Sequence, residues 1–372
     1  MQQIRILQYV GSLNIGGSQT MIMELYRNID HKKIQFDFII DKPEDIYFKK
    51  EIEQLGGKVY VLPNYTGKNH FAYKKAWNEF FKEHKQYKII HSHIRSTASI
   101  VLKIAKKYGL ITIAHSHNTS NGNGLSSLIK RIYQFKIRYV ADYFFGCSKD
   151  SCIWLFGNKI SKTNKCFVLN NSIHTDKFLY NDKVRNEVRN KFNLNNKFVI
   201  GNVGRYAPVK NHTFLIDIFY ELQKKHQEAF LLLVGDESHV KQEIIRKISS
   251  LKIDSKVLVL SNRNDVSELL QAMDVFVMPS LYEGLPVTLI EAQASGVPIV
   301  MSKNITDEVI ITNLISKISL DEKIETWVET IENLNNFERS NKKNDIVSAG
   351  YDIKKNVEWL ESFYKKIYKE GD

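Results

Sequence analysis

No apolar run in this chain approaches the roughly 18 residues that cross a bilayer as a helix, so a protein integral to a membrane is not expected. Cysteine is scarce: Cys147, Cys152 and Cys166 are the only three in 372 residues. They give neither an even disulfide framework nor a metal-type pair, which makes a reducing cytoplasm the simpler setting. A leader pattern is missing too, because Met1 runs directly into a β-prone stretch, so export is not expected. No low-complexity tract or internal repeat is apparent, and no Asp-x-Asp pair follows a strand where it would hold a divalent ion.

The first half is short of acid. Residues 1–172 hold 26 Lys/Arg against 12 Asp/Glu, a surplus of +14, whereas residues 173–372 hold 27 against 29, or −2. A basic half suits nucleic acid, an anionic membrane face or a phosphorylated substrate, and charge alone does not choose among them. The remaining composition, 43% hydrophobic and 25% charged, is that of an ordinary globular protein. Its length exceeds what one core usually supports, so two domains are expected.

In the first half, β-prone runs at 4–10, 36–40, 59–62, 89–92, 111–115, 143–147 and 166–169 alternate with helical patterns at 18–28, 48–55, 73–84, 97–108 and 126–139. The second half repeats the theme with strands at 199–203, 230–234, 257–260, 275–278 and 299–300. Such alternation predicts an α/β fold of two Rossmann-like units, each a parallel sheet with crossover helices. A polar, turn-rich link at 168–178 sets the division at 1–172 and 173–352, followed by a C-terminal helix at about 353–372. In that helix Trp359, Phe363 and Tyr364 are spaced for packing.

The richest stretch runs from Ser280 to Pro298 and places Glu283 and Glu291 eight residues apart across a strand-to-helix junction. The apolar run 275–279 ends before Glu283, and a helical pattern over 285–294 follows, with Pro286 near its first turn and Gly296 just past its end. Helix-start amides beside Glu283 favour a phosphate there. Glu291 lies about 7.5 Å of helix rise beyond Pro286, far enough to reach past a phosphate toward a ribose, whose two hydroxyls a carboxylate can accept. Read blandly, the two are a helix cap and a solvated helix residue, but every flanking glycine and proline falls at a helix boundary.

The string "EGLPVTLIEAQASG" resembles the E-x7-E signature of retaining glycosyltransferases of family 4, in the branch of bacterial exopolysaccharide and capsule synthesis. The resemblance covers nearly the whole chain. It implies the GT-B fold, two Rossmann-like domains facing an interdomain cleft, with the C-terminal helix crossing back to the first domain. It also implies a role for Glu283 at the transferred sugar and for Glu291 at the nucleotide, with Gly284, Leu285 and Pro286 lining the donor site. The link Asn171-Ser172-Ile173-His174 resembles the family's "NG(I/V)D", with Ser172 and His174 departing from it.

Gly16-Gly17-Ser18 follows the first strand, and its bare backbone can approach a ligand. An ordinary loop explains a Gly-Gly pair equally well, but the family carries its N-terminal glycine-rich loop at this position. Gly204-Arg205 and Lys210 resemble the family's "GR…K" element. A strand ending at Gly204 delivers Arg205 to the crevice at its carboxyl end, and two cations converging on a diphosphate would neutralise its charge as it leaves. Two surface cations are the plain alternative in a chain with 53 of them. With these cations and the helix-start amides, no metal or other cofactor is needed.

Histidines pair at His91/His93 and His115/His117, each pair on one face of a strand. That spacing can suit a metal, but no accompanying Cys or carboxylate motif supports one. The resemblance points instead to a sugar-contacting histidine, best matched by His117 before Asn118, with His115 as the other alignment. The resemblance implies that Gly235 lies near the nucleotide, whereas Asp236 reads locally as no more than a cap for the next helix. The loop containing Asn262 resembles the one whose backbone reads the donor base. In the first half, Leu125, Leu128, Ile129 and Ile132 recur at helical spacing among basic residues, which fits either a membrane-surface helix near a polyprenyl-linked acceptor or an internal helix with a solvated basic face.

These features together lead to a metal-independent retaining glycosyltransferase with a nucleotide-sugar donor, UDP-linked, and a glycan or polyprenyl-linked saccharide acceptor. The catalytic set is His117, Arg205, Lys210 and Glu283; the donor-binding set is Gly16, Gly17, Arg205, Lys210, Asn262, Gly284, Leu285, Pro286 and Glu291. A cytoplasmic location with peripheral contact to an anionic inner-membrane face fits the basic half. The rivals are a GT-B nucleotide-sugar epimerase or a glucan phosphorylase, the latter lacking a pyridoxal lysine context, and a catalytically silent sugar-binding subunit. A nucleic-acid-binding protein is the third rival, and it lacks any recognition motif.

Overall fold

A computed structural model describes residues 3–44, 46–117 and 125–370, and the side chains of 125–130 lie outside that description. The chain divides into two units, Met1–Ser172 together with Ile353–Asp372, and Ile173–Asp352. The first unit holds seven strands: β1 Ile4–Gly11, β2 Ile34–Ile40, β3 Val59–Val61, β4 Ile89–Ser92, β5 Ile111–Ser116, β6 Tyr143–Gly146 and β7 Cys166–Val168. Their order is β3-β2-β1-β4-β5-β6-β7, and every neighbouring pair is parallel.

Strand alternation sends Ile6, Phe36 and Phe38 to one face of this sheet and Leu7, Tyr9 and Ile39 to the other, so both faces carry a core. The helix Ile353–Glu370 closes the first face, burying Ile353, Val357, Leu360, Phe363, Tyr364 and Ile367 at helical spacing. The last segment of the chain thus completes the core of its first unit. Asp37 is fully buried in the middle of β2, where a carboxylate is tolerated because Arg5 grips it bidentately at 2.6 Å and Tyr87 donates to it at 2.7 Å.

The second unit holds β8 Phe198–Val203, β9 Ala229–Gly235, β10 Val257–Ser261, β11 Val275–Met278, β12 Ile299–Ser302 and β13 Ile315–Ile318. They form an all-parallel sheet in the order β10-β9-β8-β11-β12-β13. Val199 and Ile200 again feed opposite faces. Asp274, just before β11, ties the helix Asp182–Lys191 to the sheet by accepting from Arg189 at 3.1 Å and from the Val199 amide at 2.7 Å.

The sequence reading places the strands of the second unit but, apart from 285–294, none of its individual helices, among them Asp182–Lys191, His212–Lys225 and His239–Ser250; two further elements also escape it. The helix Lys149–Ser161 is interrupted by Gly157 at φ 78°, which breaks the apolar period, and its capping box uses Ser148 with Ser151 rather than an acidic partner. β13 is a short, partly polar edge strand. Pro286 also sits one step earlier than expected: the helix is Val287–Ala294, and Pro286 is its N-cap residue. Gly296, at φ 68°, lies where a left-handed residue ends a helix, as the sequence suggested.

Candidate active site

In each sheet the strand order reverses once, between β1 and β4 in the first unit and between β8 and β11 in the second. Crevices at the carboxyl ends of such strand pairs are where open parallel sheets hold ligands. The loop leaving β8 carries Arg205 and Lys210 and the loop leaving β11 carries Glu283, so the meeting of Lys210 with Glu283 follows from the strand order.

The two loops of the second unit are stitched together. Leu281 donates its amide to Val209 O at 2.8 Å, and Asn211 Nδ2 reaches Pro279 O at 3.2 Å. Lys210, at the end of a 3₁₀ turn, then places Nζ 2.7 Å from Glu283 Oε1, and the two side chains are only 14% and 15% exposed. Gly204 makes room for this: a Cβ there would stand 3.3 Å from Lys210 Cε. Arg205 is exposed on the same loop. Asp236 does not cap the helix His239–Ser250, as was expected; Oδ1 instead accepts the Tyr206 amide at 2.8 Å and holds the Arg205 loop.

Beyond Glu283, Gly284 is exposed backbone with open space where a Cβ would be, and Leu285 is half-buried. No side chain caps the start of Val287–Ala294, which leaves its first amides available to an anion. Glu291 lies inside this helix, and among the described residues its carboxylate has no ion-pair or hydrogen-bond partner. Burial pushes its pKa up to about 7. Asn262 follows β10 with φ 51° and donates its amide to Gly235 O at 2.9 Å.

In the first unit Gly16 is the extended N-cap residue, and Gly17 the first residue, of the helix Gly17–Asn28, again without a side-chain cap. Nearby Gln19 lines a 640 Å³ cavity with Gly11, Asp41, Tyr65, Ile94 and Thr97. None of these cavity residues was singled out in the sequence.

The four histidines form one stack. Ring centroids of His115 and His117 are 4.1 Å apart, and those of His91 and His93 are 4.5 Å apart. Hydrogen bonds fix their tautomers. Gln8 Oε1, a pure acceptor, accepts a hydrogen bond from His93 Nε2–H at 2.8 Å, so His93 Nδ1 accepts from His117 Nε2 at 2.7 Å. The Gln8 amide donates to Tyr364 OH at 3.4 Å, which leaves that hydroxyl to donate to His91 Nδ1 at 2.7 Å. His91 Nε2 then donates to His115 Nδ1 at 3.2 Å. All four rings are therefore Nε2–H imidazoles. Burial depresses each pKa, that of His117 to about 3 with a smaller push from Arg95.

His91, His93 and His115 have ring nitrogens within 4.8 Å of one another, as metal ligands would. In this network each of their Nδ1 atoms accepts a hydrogen bond, while His115 Nε2 is buried and has no partner among the described residues. His117 keeps its Nδ1 lone pair outside the network, which suits it to accept from a hydroxyl. Asn118, paired with it in the sequence reading, lies outside the described residues. Gln8 and Tyr364 were not foreseen as partners; the one signal was a glutamine inside the apolar strand 4–10.

Comparison with known proteins agrees with this geometry. The family profile "Glycosyltransferase Family 4" matches residues 15–177, and "Glycosyl transferases group 1" matches 184–352. The "Putative glycosyltransferase EpsF" of Bacillus subtilis (strain 168) is 32% identical over 371 residues, covering 97% of this chain and 96% of the relative. An Escherichia coli protein named "UDP-Gal:alpha-D-GlcNAc-diphosphoundecaprenol alpha-1,3-galactosyltransferase" is 25% identical over 75% of this chain and 76% of its own. The solved structure of Anabaena Alr3699/HepE in complex with UDP shares the fold, with a TM-score of 0.78 at 18% identity over 98% of this chain and 100% of that one. The chain belongs to the group 1, family 4 glycosyltransferases and has their GT-B fold.

Proposed function

We propose that this glycosyltransferase moves a sugar from a UDP-linked donor to a polyprenyl-linked saccharide during assembly of a cell-surface polysaccharide, with retention of configuration. The observation that carries the reading is the Lys210–Glu283 pair beside the uncapped start of the helix Val287–Ala294. In it Glu291 accepts the ribose hydroxyls, helix-start amides and Arg205 hold the diphosphate, and Lys210 follows the negative charge that grows on the leaving oxygen. Glu283 then orients the sugar hydroxyls and keeps Lys210 in place. Reaction is front-face: the acceptor hydroxyl attacks the anomeric carbon on the side from which the diphosphate leaves, and a departing phosphate oxygen takes the hydroxyl proton.

The positive charge comes from the chain, so this reading needs no metal ion. The donor and acceptor classes are supported by the name of the Escherichia coli relative, and UDP also by the bound nucleotide of the Anabaena structure. A panel of nucleotide sugars, scored for donor hydrolysis and for transfer to a lipid-linked saccharide, tests the reading, with the anomeric configuration of the product read by NMR. An inverted product would overturn retention, activity lost to a chelator and restored by a divalent ion would overturn metal independence, and a preference for another base would overturn the UDP assignment.

A further inference from the structure

The segment 84–141 contains ten Lys or Arg and no Asp or Glu. Within it the described side chains of the helix Leu125–Ile137, those of 131–137, leave apolar groups exposed. Gln134 and Ile137 are buried, while Ile132 is 55% and Phe135 50% exposed; Tyr139, just past the helix, is 76% exposed. A surface helix ordinarily turns its apolar stripe inward. Here the exposed face mixes Ile132, Phe135 and Tyr139 with the equally exposed Arg131 and Lys136. The Arg138 guanidinium lies 4.9 Å over the Phe135 ring, and Lys136 Nζ lies 5.9 Å from the Tyr133 ring, so cations ride beside the exposed aromatics.

Next to this face is a 720 Å³ cavity with an apolar floor that includes Ile100, Ile104 and Val140. Its rim carries Lys74, Lys103, Lys107 and Lys136, together with Lys106, which is paired with Asp142 at 2.6 Å. Phe71, adjacent to cavity-lining His70, is 85% exposed. Apolar side chains projecting among basic ones, with no acid in the segment, match the chemistry of a bilayer interface, where apolar groups enter the acyl boundary and cations meet lipid phosphates. The side chains of Leu125, Leu128 and Ile129 lie outside the described residues and are not needed for this reading.

We infer that the face formed by Ile132, Phe135 and Tyr139 with the lysine-rimmed cavity beside it is a docking surface for an anionic lipid bilayer. The lysine rim seats the headgroup phosphates, and the aromatic and aliphatic tips enter the headgroup–acyl boundary. Docking does not depend on the donor reading, since it is measured without any nucleotide sugar.

Flotation of the full chain with vesicles tests it. Wild type should float with phosphatidylcholine–phosphatidylglycerol vesicles, less so at high salt, and stay behind with phosphatidylcholine alone. The triple variant Ile132→Ser, Phe135→Ser, Tyr139→Ser should partition about tenfold less. Lys103→Gln and Lys107→Gln, both exposed on the helix Ala98–Lys107, should each cost about fivefold. Melting temperature and donor hydrolysis in solution should not change, and the two lysine variants keep the test open if the triple variant does not fold. The inference fails if wild type does not float, or if the variants float as well as wild type. It also fails if the triple variant abolishes self-association in light scattering while leaving flotation intact, because the face would then be a contact between copies.

Discussion

Lys210 Nζ and Glu283 Oε1 form an ion pair at 2.7 Å between the loops that leave two adjacent parallel strands, β8 and β11. Removing either partner leaves the other charge half-stranded in a site only about one-seventh exposed, so the loss combines chemistry with misplacement. Lys210→Ala and Glu283→Ala should each lower kcat by about 10²–10³-fold, the range for losing one charge-stabilising group. The double variant should be scarcely worse than the poorer single variant, since the two residues act as one unit. Steady-state kinetics on all four proteins decides this, and strictly additive losses would show that the pair does not act together.

Glu291 carries the opposite kind of strain, a carboxylate without a partner. Its folded pKa of about 7 lies above the ordinary 4.5, so the folded chain holds a proton that the unfolded chain releases. The contribution of Glu291 to stability is therefore greatest below pH 4.5, falls as pH rises toward 7 and then levels off. The side chain keeps some surface to solvent, so the cost is about 1–2 kcal/mol, and Glu291→Gln should regain that much at pH 8 relative to pH 4.5 in urea melts. Nucleotide-sugar affinity in wild type should rise through pH 7 as the carboxylate ionises. The donor's two phosphates are diesters with no titration there, and the variant should give a flat profile with about tenfold weaker binding. A pH-independent wild-type affinity would remove Glu291 from the ribose.

The sheets were legible because their strands are short apolar runs separated by amphipathic helices, and both β8 and β11 read as strands from sequence. Strand order was not legible, since the placing of β8 against β11 is a long-range pairing, and the contact of Lys210 with Glu283 depends on it. The helix Lys149–Ser161 was missed because Gly157 breaks its period, and β13 because an edge strand need not be apolar. The motif singles out Glu283, Glu291, Arg205 and Lys210, and of these the structure brings Lys210 and Glu283 into contact. Gln8 and Tyr364 could not be foreseen: they are 356 residues apart and meet only because the last helix packs into the first unit. Asp236 was assigned a local cap because local capping is what a sequence shows, whereas its partner is an amide 30 residues upstream.

That long-range contact gives a third expectation. Asp236→Ala frees the Tyr206 amide and with it the loop carrying Arg205 and Lys210, without touching either cation. Stability should fall by about 2 kcal/mol, within the range for a hydrogen bond to a charged group. Turnover should fall by about tenfold as the loop loses its fixed geometry. Asp236→Asn, whose amide oxygen can still accept, should recover most of both, and failure of that rescue would show that the charge rather than the loop contact matters.

The histidine stack makes the sharpest demand on pH. A base whose folded pKa is depressed contributes stability above its unfolded pKa, here 6.5, and loses it as pH falls, because the unfolded chain then binds protons the fold refuses. As pH falls through 6.5, unfolding should therefore take up protons at this network, and stability should drop toward acid pH. The tautomers follow from Gln8: its carbonyl can only accept and its amide only donate, so proton positions propagate from it in both directions. Nitrogen-15 NMR of histidine-labelled protein should show His91, His93, His115 and His117 as Nε2–H imidazoles that do not titrate between pH 8 and 5. Tyr364→Phe removes the donor to His91 Nδ1 and should release the tautomer of His91 and His115 while leaving His93 and His117 fixed by the Gln8 carbonyl. If all four signals move together, or if His117 titrates near 6.5, the chain of hydrogen bonds does not set the protonation of the stack, and His117 does not present a permanently neutral acceptor to its ligand.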